Sequence, residues 1–172
     1  MAHHHNKLLI PVLISLLGMG FITGCEKEEP MKEITQITYA KASGPIVPEM
    51  QMYESYTITR ETVTLTRTGN VEDTLVNQGT WQVEFEPASA TVLFETLAGV
   101  DIESIQKVEP EDIPDGGGSE YYTLTYSNGQ VFSMEFTPGV TYRNGNLITQ
   151  LIKELIRQIE LPAEARMEIL VQ

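Results

Sequence analysis

The sequence predicts an α+β fold with two layers, a mainly antiparallel β-sheet and two main helices packed on one of its faces. Three observations support this class. Several segments alternate apolar and polar residues with the period of a half-buried strand, an Asn-Gly pair separates two of them, and two other segments carry apolar residues at helical spacing. Because each helix has a single apolar stripe, both helices are expected to cover the same face of one sheet.

The first strands are predicted from residue composition. Segments 34–40, 52–60 and 62–68 are dense in Ile, Val, Tyr and Thr, which suit a pleated, half-buried surface. The third of these segments alternates polar and apolar side chains, so one of its faces should be buried and the other wet. Gly69-Asn70 then supplies a turn.

A fourth strand and a helix follow. Trp81, Val83 and Phe85 fall on one side of the strand, which indicates that this side is buried. Pro87 opens a helical pattern with one apolar face, and Gly99 follows where a glycine commonly ends a helix. The apolar positions of this helix are Ala90, Leu93, Phe94, Leu97 and Ala98.

A β-hairpin is predicted in the second half of the chain. Its strands are Tyr121–Tyr126 and Val131–Phe136, and residues 127–130 connect them. The connection contains Asn128-Gly129, a pair that tolerates the positive φ angles of a type I′ turn. The sequence therefore predicts antiparallel pairing across a type I′ turn.

The segment with the strongest helical periodicity runs from Leu147 to about Glu160. Its apolar residues form one broad stripe, and its opposite side is polar. Asn146 is expected to cap the start of this helix, and Leu161-Pro162 to end it. A short second helix is predicted over 163–170. The stripe consists of positions 147, 148, 151, 152, 155, 156 and 159.

The N-terminal region is typical of an exported protein. Lys7 precedes an apolar run from Leu8 to Ile22, which is the layout of a secretory signal peptide. This run has 15 residues, whereas a membrane-spanning helix needs about 20. The run ends in Ile22-Thr23-Gly24-Cys25, which closely resembles the lipobox of bacterial lipoproteins. The resemblance implies cleavage before Cys25 and diacylation of its sulfur, and two acyl chains hold a protein stably on a membrane.

These features predict a lipoprotein signal peptide over 1–24, a lipidated tether over 25–32 and a single α+β domain over 33–172. The tether begins with Glu26-Lys27-Glu28-Glu29, which resembles the acidic export signal of surface lipoproteins in the Bacteroidota. A solvated linker is the other interpretation of this charged string. The expected location is the cell envelope, with the chain anchored to the outer membrane and its domain either periplasmic or surface-exposed.

Charge and composition narrow the classes of function. Removal of residues 1–24 takes Lys7 from the 11 basic residues and none of the 24 acidic ones, so the mature chain carries a net charge of −14. Such a chain repels phosphate backbones, and nucleic acid is therefore not an expected partner. The three histidines are residues 3–5 and the one cysteine is Cys25. The mature domain thus lacks the residues for Ser-His-Asp or Cys-His catalysis, histidine-ligated zinc and disulfides.

The acidic loop 109–118 is the candidate metal site. It places four carboxylates within seven positions, together with two prolines and three glycines. Carboxylate oxygens are preferred ligands of Ca²⁺, although the spacing differs from that of an EF-hand loop. Calcium is therefore the one cofactor that the sequence leaves open, and a solvated connecting loop is the other interpretation. The candidate ligands are Glu109, Glu111, Asp112 and Asp115.

Two further sets of residues are candidates for chemistry or binding. Glu84 and Glu86 are expected on one strand, about 7 Å apart along it, which is within the range of paired glycosidase carboxylates. The alternation of this strand nevertheless directs both glutamates outward, away from the core. Tyr121, Tyr122 and Tyr126 lie in the predicted hairpin, where aromatic rings either contact a sugar or protein partner or form cross-strand pairs within the sheet. Tyr121 and Tyr122 must face opposite sides of the sheet.

The expected function is non-enzymatic binding by a membrane-tethered envelope lipoprotein, with another envelope protein as the partner. A small carboxylate-dependent glycan hydrolase is the alternative from a different class, and its catalytic residues would come from Glu84, Glu86 and the acids of loop 109–118. Such an enzyme requires two carboxylates that converge in a concave pocket. A calcium-dependent binding module is the third interpretation.

Overall fold

The computed structural model describes residues 33–168 and confirms the predicted α+β class. A mainly antiparallel sheet forms one layer, and two α-helices pack on one of its faces. Short 3₁₀ helices lie at Pro48–Met50, Ile102–Ser104 and Ala163–Ala165. The strands are β1 Ile34–Ala42, β2 Met52–Ile58, β3 Thr62–Gly69, β4 Gly79–Glu84, β5 Gln106–Val108, β6 Ser119–Tyr126, β7 Val131–Phe136 and β8 Thr141–Arg143, and the helices are α1 Pro87–Ala98 and α2 Asn146–Gln158.

Six strands form one sheet in the order β4-β3-β2-β1-β6-β7, and every neighbouring pair in it is antiparallel. Strand β1 lies in the interior of this sheet. Its residue Ile37 is opposite Ile58 of β2 on one side and Leu124 of β6 on the other. The first strand of the domain therefore joins the two halves of the chain.

The core lies between the two helices and one face of the six-stranded sheet, which we call the inner face. Alternate residues of each strand point to it, as the period of two requires. The other face, which we call the open face, carries mainly threonine and other polar side chains that are partly or fully exposed. Buried core residues include Ile37, Ile58, Val63, Leu65 and Leu124 from the strands, Phe94 and Leu97 from α1, and Ile148 and Ile152 from α2.

The predicted hairpin of β6 and β7 is confirmed, but its predicted turn type is wrong. Gly129 has a positive φ of 83°, whereas the φ of Asn128 is not positive. The Gly129 N–H donates to the Tyr126 carbonyl, and the Tyr126 N–H donates to the Gln130 carbonyl. This pattern is a three-residue loop, a type I turn followed by a left-handed glycine. The Asn128 side chain accepts a bond of 3.0 Å from the Gln130 N–H, which satisfies the loop without a left-handed asparagine.

The two ends of α2 differ from the prediction. Gly145 occupies the N-cap position and Asn146 is the first helical residue, so the predicted Asn146 cap is wrong. Gly145 is buried beside Met134 and Tyr142, and this crowding favours glycine there. The helix predicted over 163–170 is also wrong in its described part, because only a single 3₁₀ turn forms at Ala163–Ala165; residues 169–172 lie outside the described residues.

The short ribbon of β5 and β8 was not predicted. Each strand has three residues, which is too short for an alternating pattern to show. The ribbon lies beside β7, where the Tyr142 and Phe136 rings are 4.9 Å apart and the Glu135 N–H donates to the Tyr142 hydroxyl. Within residues 33–168, neither helix has the length and apolar character needed to cross a membrane.

Candidate functional site

Four charged residues form one row across the inner face of the sheet. Arg67 of β3 lies opposite Glu54 of β2, and Glu54 lies opposite Lys41 of β1. Lys41 in turn lies opposite Glu120 of β6. The signs of charge alternate from strand to strand, so each residue has a neighbour of opposite charge, which stabilises the pairing. We call these four residues the charged row.

The pair Glu54–Arg67 is almost completely buried, since both side chains are 3% exposed. Two nitrogens of Arg67, Nε and Nη2, each lie 2.6 Å from Oε1 of Glu54. The other oxygen, Oε2, lies 2.5 Å from Nζ of Lys41 but lacks a hydrogen bond of proper geometry among the described residues. Lys41 therefore interacts with this oxygen electrostatically, and the carboxylate of Glu54 lies between two cations, Arg67 and Lys41.

Arg67 also connects the sheet to the C-terminal segment. Its Nη1 donates to Oδ1 of Asn77 at 2.8 Å, and its Nη2 donates to the carbonyl of Ala165 at 3.0 Å. The amide nitrogen of Asn77 donates to the carbonyls of Glu164 and Arg166. Two polar side chains on the β3–β4 side of the sheet thus fix three consecutive carbonyls near the end of the chain.

Glu120 is the centre of a second cluster at the other end of the row. The hydroxyl of Tyr39 donates to its Oε1 at 3.1 Å, the hydroxyl of Tyr122 donates to its Oε2 at 2.9 Å, and Nζ of Lys153 lies 2.7 Å from Oε2. Burial by itself raises the pKa of Glu120, but the bonds from Lys153, Tyr122 and Tyr39 outweigh it and leave the pKa below its usual value. Glu120 is therefore a carboxylate at neutral pH.

The tyrosines next to the charged row are held in their neutral form. Burial is the main cause that raises the pKa of Tyr39 and Tyr122, and the negative charge of Glu120 raises both further. Burial likewise raises the pKa of Tyr56, and the charge of Glu54 adds to this effect. The rings of Tyr56, Tyr39 and Tyr122 follow one another across three strands, with centroids 6.0 and 5.0 Å apart.

A pocket of about 270 Å³ opens between the charged row and α2. Lys41, Glu120 and Tyr39 line it from the sheet, and Lys153 and Arg157 line it from the helix. The pocket therefore combines three cationic side chains, one carboxylate and phenolic hydroxyls, a set that can bind a polar ligand through charge and hydrogen bonds.

The open face carries a second arrangement of polar side chains. One row of register partners crosses all six strands and consists of short hydroxyl residues with one glutamine at the edge. The partly exposed Tyr121 lies in the adjacent row of register partners, and Tyr53, which is 44% exposed, lies one row further along the same face. The row consists of Gln82, Thr64, Thr57, Thr38, Thr123 and Ser133 in the order of the strands.

The structure places the predicted glutamate pair differently from the expectation. Glu84 ends β4 and is exposed, whereas Glu86 caps α1, where its side chain accepts bonds from the N–H groups of Ala88 at 3.0 Å and Ser89 at 2.6 Å. These bonds, chiefly those from Ser89, lower the pKa of Glu86. The prediction that both glutamates lie on one strand is therefore wrong. Pro87 at the first helical turn ends the strand before Glu86.

The acids of loop 109–118 are exposed, and Glu109 pairs with Lys107 at 2.9 Å. Glu111, Asp112 and Asp115 lie in the same exposed loop, and across residues 33–168 no three acidic side chains meet in a group that could hold a metal ion. This loop leads into Ser119, which pairs with the last residue of β1.

Glu84, by contrast, lies at the opposite end of the sheet, where its partner Thr62 begins β3. The acids that were predicted for a hydrolase therefore do not converge with one another.

The three hairpin tyrosines do not share a surface. Tyr122 and Tyr126 point to the inner face and are buried, and Tyr121 lies on the open face. The opposite orientation of Tyr121 and Tyr122 agrees with the prediction. The predicted lipobox and lipidation residues, Ile22, Thr23, Gly24 and Cys25, lie outside the described residues.

The charged row was missed in the sequence, although a signal for it was present. Glu54 lies two and four residues before the buried Tyr56 and Ile58 in the same strand, so all three point to one face. Arg67 likewise lies two residues after the buried Leu65. A charge at an inward position requires a partner, because an unpaired buried charge is strongly destabilising. Glu54 and Arg67, two inward residues of opposite charge on consecutive strands, could therefore have been predicted to form an ion pair.

Comparison of the chain with protein-family models, with curated proteins and with solved structures yields no match.

Proposed function

We propose that this chain is a lipid-anchored protein of the bacterial cell envelope whose domain binds another envelope protein through the open face of its sheet. The observation that carries the proposal is the row of polar side chains across all six strands, five hydroxyl residues and one glutamine, on the face that the helices leave uncovered. The predicted lipid on Cys25 supplies the anchor.

The chemistry of the open face suits contact with a protein. Threonine and serine hydroxyls both donate and accept hydrogen bonds and have little side-chain freedom to lose, and tyrosine adds rigid contact area. Tyr121 and Tyr53 lie on the same face, one and two rows away from the hydroxyl row, so the face combines adaptable polar groups with aromatic contacts. Protein interfaces are enriched in tyrosine, which agrees with this assignment.

The area of the open face limits how stable a complex formed through it can be. Six strands at about 4.8 Å spacing, each about seven residues long, give a face of roughly 550 Å². A stable interface takes about 800 Å² from each partner. The open face therefore supplies most of a standard interface, and the remainder would come from the loops around it or the complex would be transient.

The experiment is site-specific photocrosslinking in intact cells that make the lipidated protein. A photoreactive phenylalanine replaces Tyr53 or Thr123 on the open face, and it replaces Thr91 on the exposed side of α1 as the control. The proposal expects the two open-face positions to capture the same envelope protein and the control position not to capture it. Equal capture from all three positions, or none from the open face, would overturn it.

The captured protein is then purified and titrated with variants. Tyr53→Glu and Thr123→Glu are expected to weaken binding at least about tenfold, because each buries an unpaired charge in the interface. Thr91→Glu is the matched control and should leave the affinity unchanged. Binding that is insensitive to both open-face variants contradicts the proposal.

A further inference from the structure

The pocket beside α2 concentrates positive charge in a strongly acidic chain. The full chain has 11 basic and 24 acidic residues, yet Lys41, Lys153 and Arg157 all line this one pocket of about 270 Å³. Glu120 is the acidic residue among its lining. Three cationic side chains against one carboxylate in the lining favour a negatively charged ligand.

The cations of the pocket keep donors for a ligand. An ammonium group has three N–H donors, and Lys41 and Lys153 each direct one contact to a carboxylate, Glu54 and Glu120 respectively. The two lysine side chains are 42% and 39% exposed. Arg157 uses Nη1 for Glu154, is 71% exposed, and has its other N–H groups available on the rim. A carboxylate that enters can therefore receive several charge-assisted hydrogen bonds.

Glu120 does not prevent an anion from entering. Both of its oxygens accept hydrogen bonds, from Tyr39, Tyr122 and Lys153. Its charge is thus balanced by Lys153. Lys41 shares the carboxylate of Glu54 with Arg67, so one positive charge of that group of three is left uncompensated beside the pocket. A singly charged ligand fits this limited positive charge better than a phosphate dianion, since the rest of the domain is negative.

The pocket also offers surfaces for an organic ring. Tyr39, Tyr56 and Ile156 line it, which gives it aromatic and aliphatic walls besides the cations. Among residues 33–168, the hydroxyl of Tyr56 is not part of any side-chain hydrogen bond, although its neighbour Tyr39 bonds Glu120. The volume lies just below the range of pockets for drug-sized ligands, so it suits one small ring.

We propose that this pocket binds an acidic sugar residue, a single ring that bears one carboxylate and several hydroxyls. The carboxylate contacts Lys41, Lys153 and Arg157, the hydroxyls reach Tyr56 and Glu120, and the apolar side of the ring lies against the tyrosine and isoleucine side chains. The inference is independent of the protein partner proposed above, because the pocket lies on the inner face and that partner contacts the open face.

The test is calorimetric titration of the full chain in detergent with sodium glucuronate as the probe. Glucose serves as the neutral sugar, acetate as the carboxylate without a ring, and inorganic phosphate as the other anion. We expect saturable binding of glucuronate with a Kd of about 1 mM or tighter, and at least tenfold weaker binding of the other three compounds. No saturation by about 20 mM glucuronate, or equal or tighter binding of glucose, acetate or phosphate, would overturn the proposal.

Two variants locate the binding. Arg157→Gln should weaken glucuronate about tenfold, as expected for a lost hydrogen bond between charged groups. Tyr56→Phe should weaken it about threefold, because a neutral hydrogen bond is lost while the ring remains. Arg143→Gln changes an exposed arginine on β8 and is the matched control, which should bind like the wild type. Binding that survives both pocket variants, or that falls equally in the control, contradicts the assigned site.

Discussion

The substitution Arg67→Met tests the charged row directly. Methionine has about the length and volume of the arginine stem, so the packing against neighbouring strands is largely kept. The change removes the bonds from Arg67 to Glu54, Asn77 and the Ala165 carbonyl. Glu54, which is buried, then keeps a single cation, Lys41.

The expected loss follows from this geometry. Removal of one member of a buried ion pair destabilises a protein by about 3–5 kcal/mol. Lys41 still neutralises part of the charge on Glu54, which reduces the loss, and the unsatisfied carbonyl of Ala165 adds about 1 kcal/mol or more. We therefore expect a free energy of unfolding about 4 kcal/mol below that of the wild type, and a Tm lower by about 10–15 °C.

The assay is urea unfolding followed by far-ultraviolet circular dichroism. Fluorescence is unsuitable, because the Arg67 guanidinium lies 5.4 Å from the ring centroid of the one tryptophan, Trp81, and its removal would alter the signal itself. Arg157→Met is the control, since its pair with Glu154 is exposed and should be worth under about 1 kcal/mol.

A double-mutant cycle separates the ion pair from general packing. Glu54→Gln leaves Arg67 without its buried counter-charge, and the double variant removes both charges. We expect the double variant to lose at least about 2 kcal/mol less than the sum of the two single losses. Additive losses within about 0.5 kcal/mol, or a loss for Arg67→Met no larger than that for Arg157→Met, would refute this account.

Three further predictions concern other parts of the chain. Cys25→Ser should abolish palmitate labelling of the protein in cells and leave the predicted signal peptide uncleaved by the lipoprotein peptidase, and persistent labelling would contradict the proposed lipid anchor. Glu86→Gln should lower the Tm by a few degrees at pH 7, because the lowered pKa of Glu86 means that its charge stabilises the folded state. This difference should disappear as the pH falls below about 4.5 and through the lowered pKa, and a difference independent of pH would exclude the charge as its cause. In an absorbance titration of the folded protein, Tyr39→Phe should leave the tyrosine ionisation near pH 10 unchanged, because burial and the charge of Glu120 raise the pKa of Tyr39, and a smaller absorbance change near pH 10 in this variant would contradict the assignment.

The fold could be predicted largely because its sheet has one wet and one buried face. Alternation along β3 and β4 assigns each side chain to a face, and the stripe of α2 identifies the surface that covers the sheet. Turn type and helix capping depend on hydrogen bonds of individual side chains, and alternation does not predict them. The Asn128 side chain accepts a hydrogen bond from the Gln130 N–H within a three-residue loop, so the turn is not of the predicted type. Pro87 begins α1, and Glu86 therefore caps this helix instead of extending the strand.

The candidate site was harder to predict because it depends on register. Alternation places Glu54 and Glu120 on the inner face but does not say which residues lie beside them on neighbouring strands. Glu120 meets Lys153, which approaches it from a helix later in the chain, and this contact depends on how α2 lies across the sheet. Charge at inward positions indicates that partners exist, whereas only the three-dimensional arrangement identifies them.

The contact of Arg67 with the Ala165 carbonyl closes a long loop in the chain. Arg67 and Ala165 are separated by 98 positions in the sequence, and Asn77 bonds the carbonyls of Glu164 and Arg166 across 87 and 89 positions. Contacts between residues so far apart in sequence form slowly, because the entropy of loop closure is lost before the contact is gained. The buried arginine therefore reaches its full set of acceptors only when residues 163–166 have docked against the sheet, and we expect this docking to be a late step in folding.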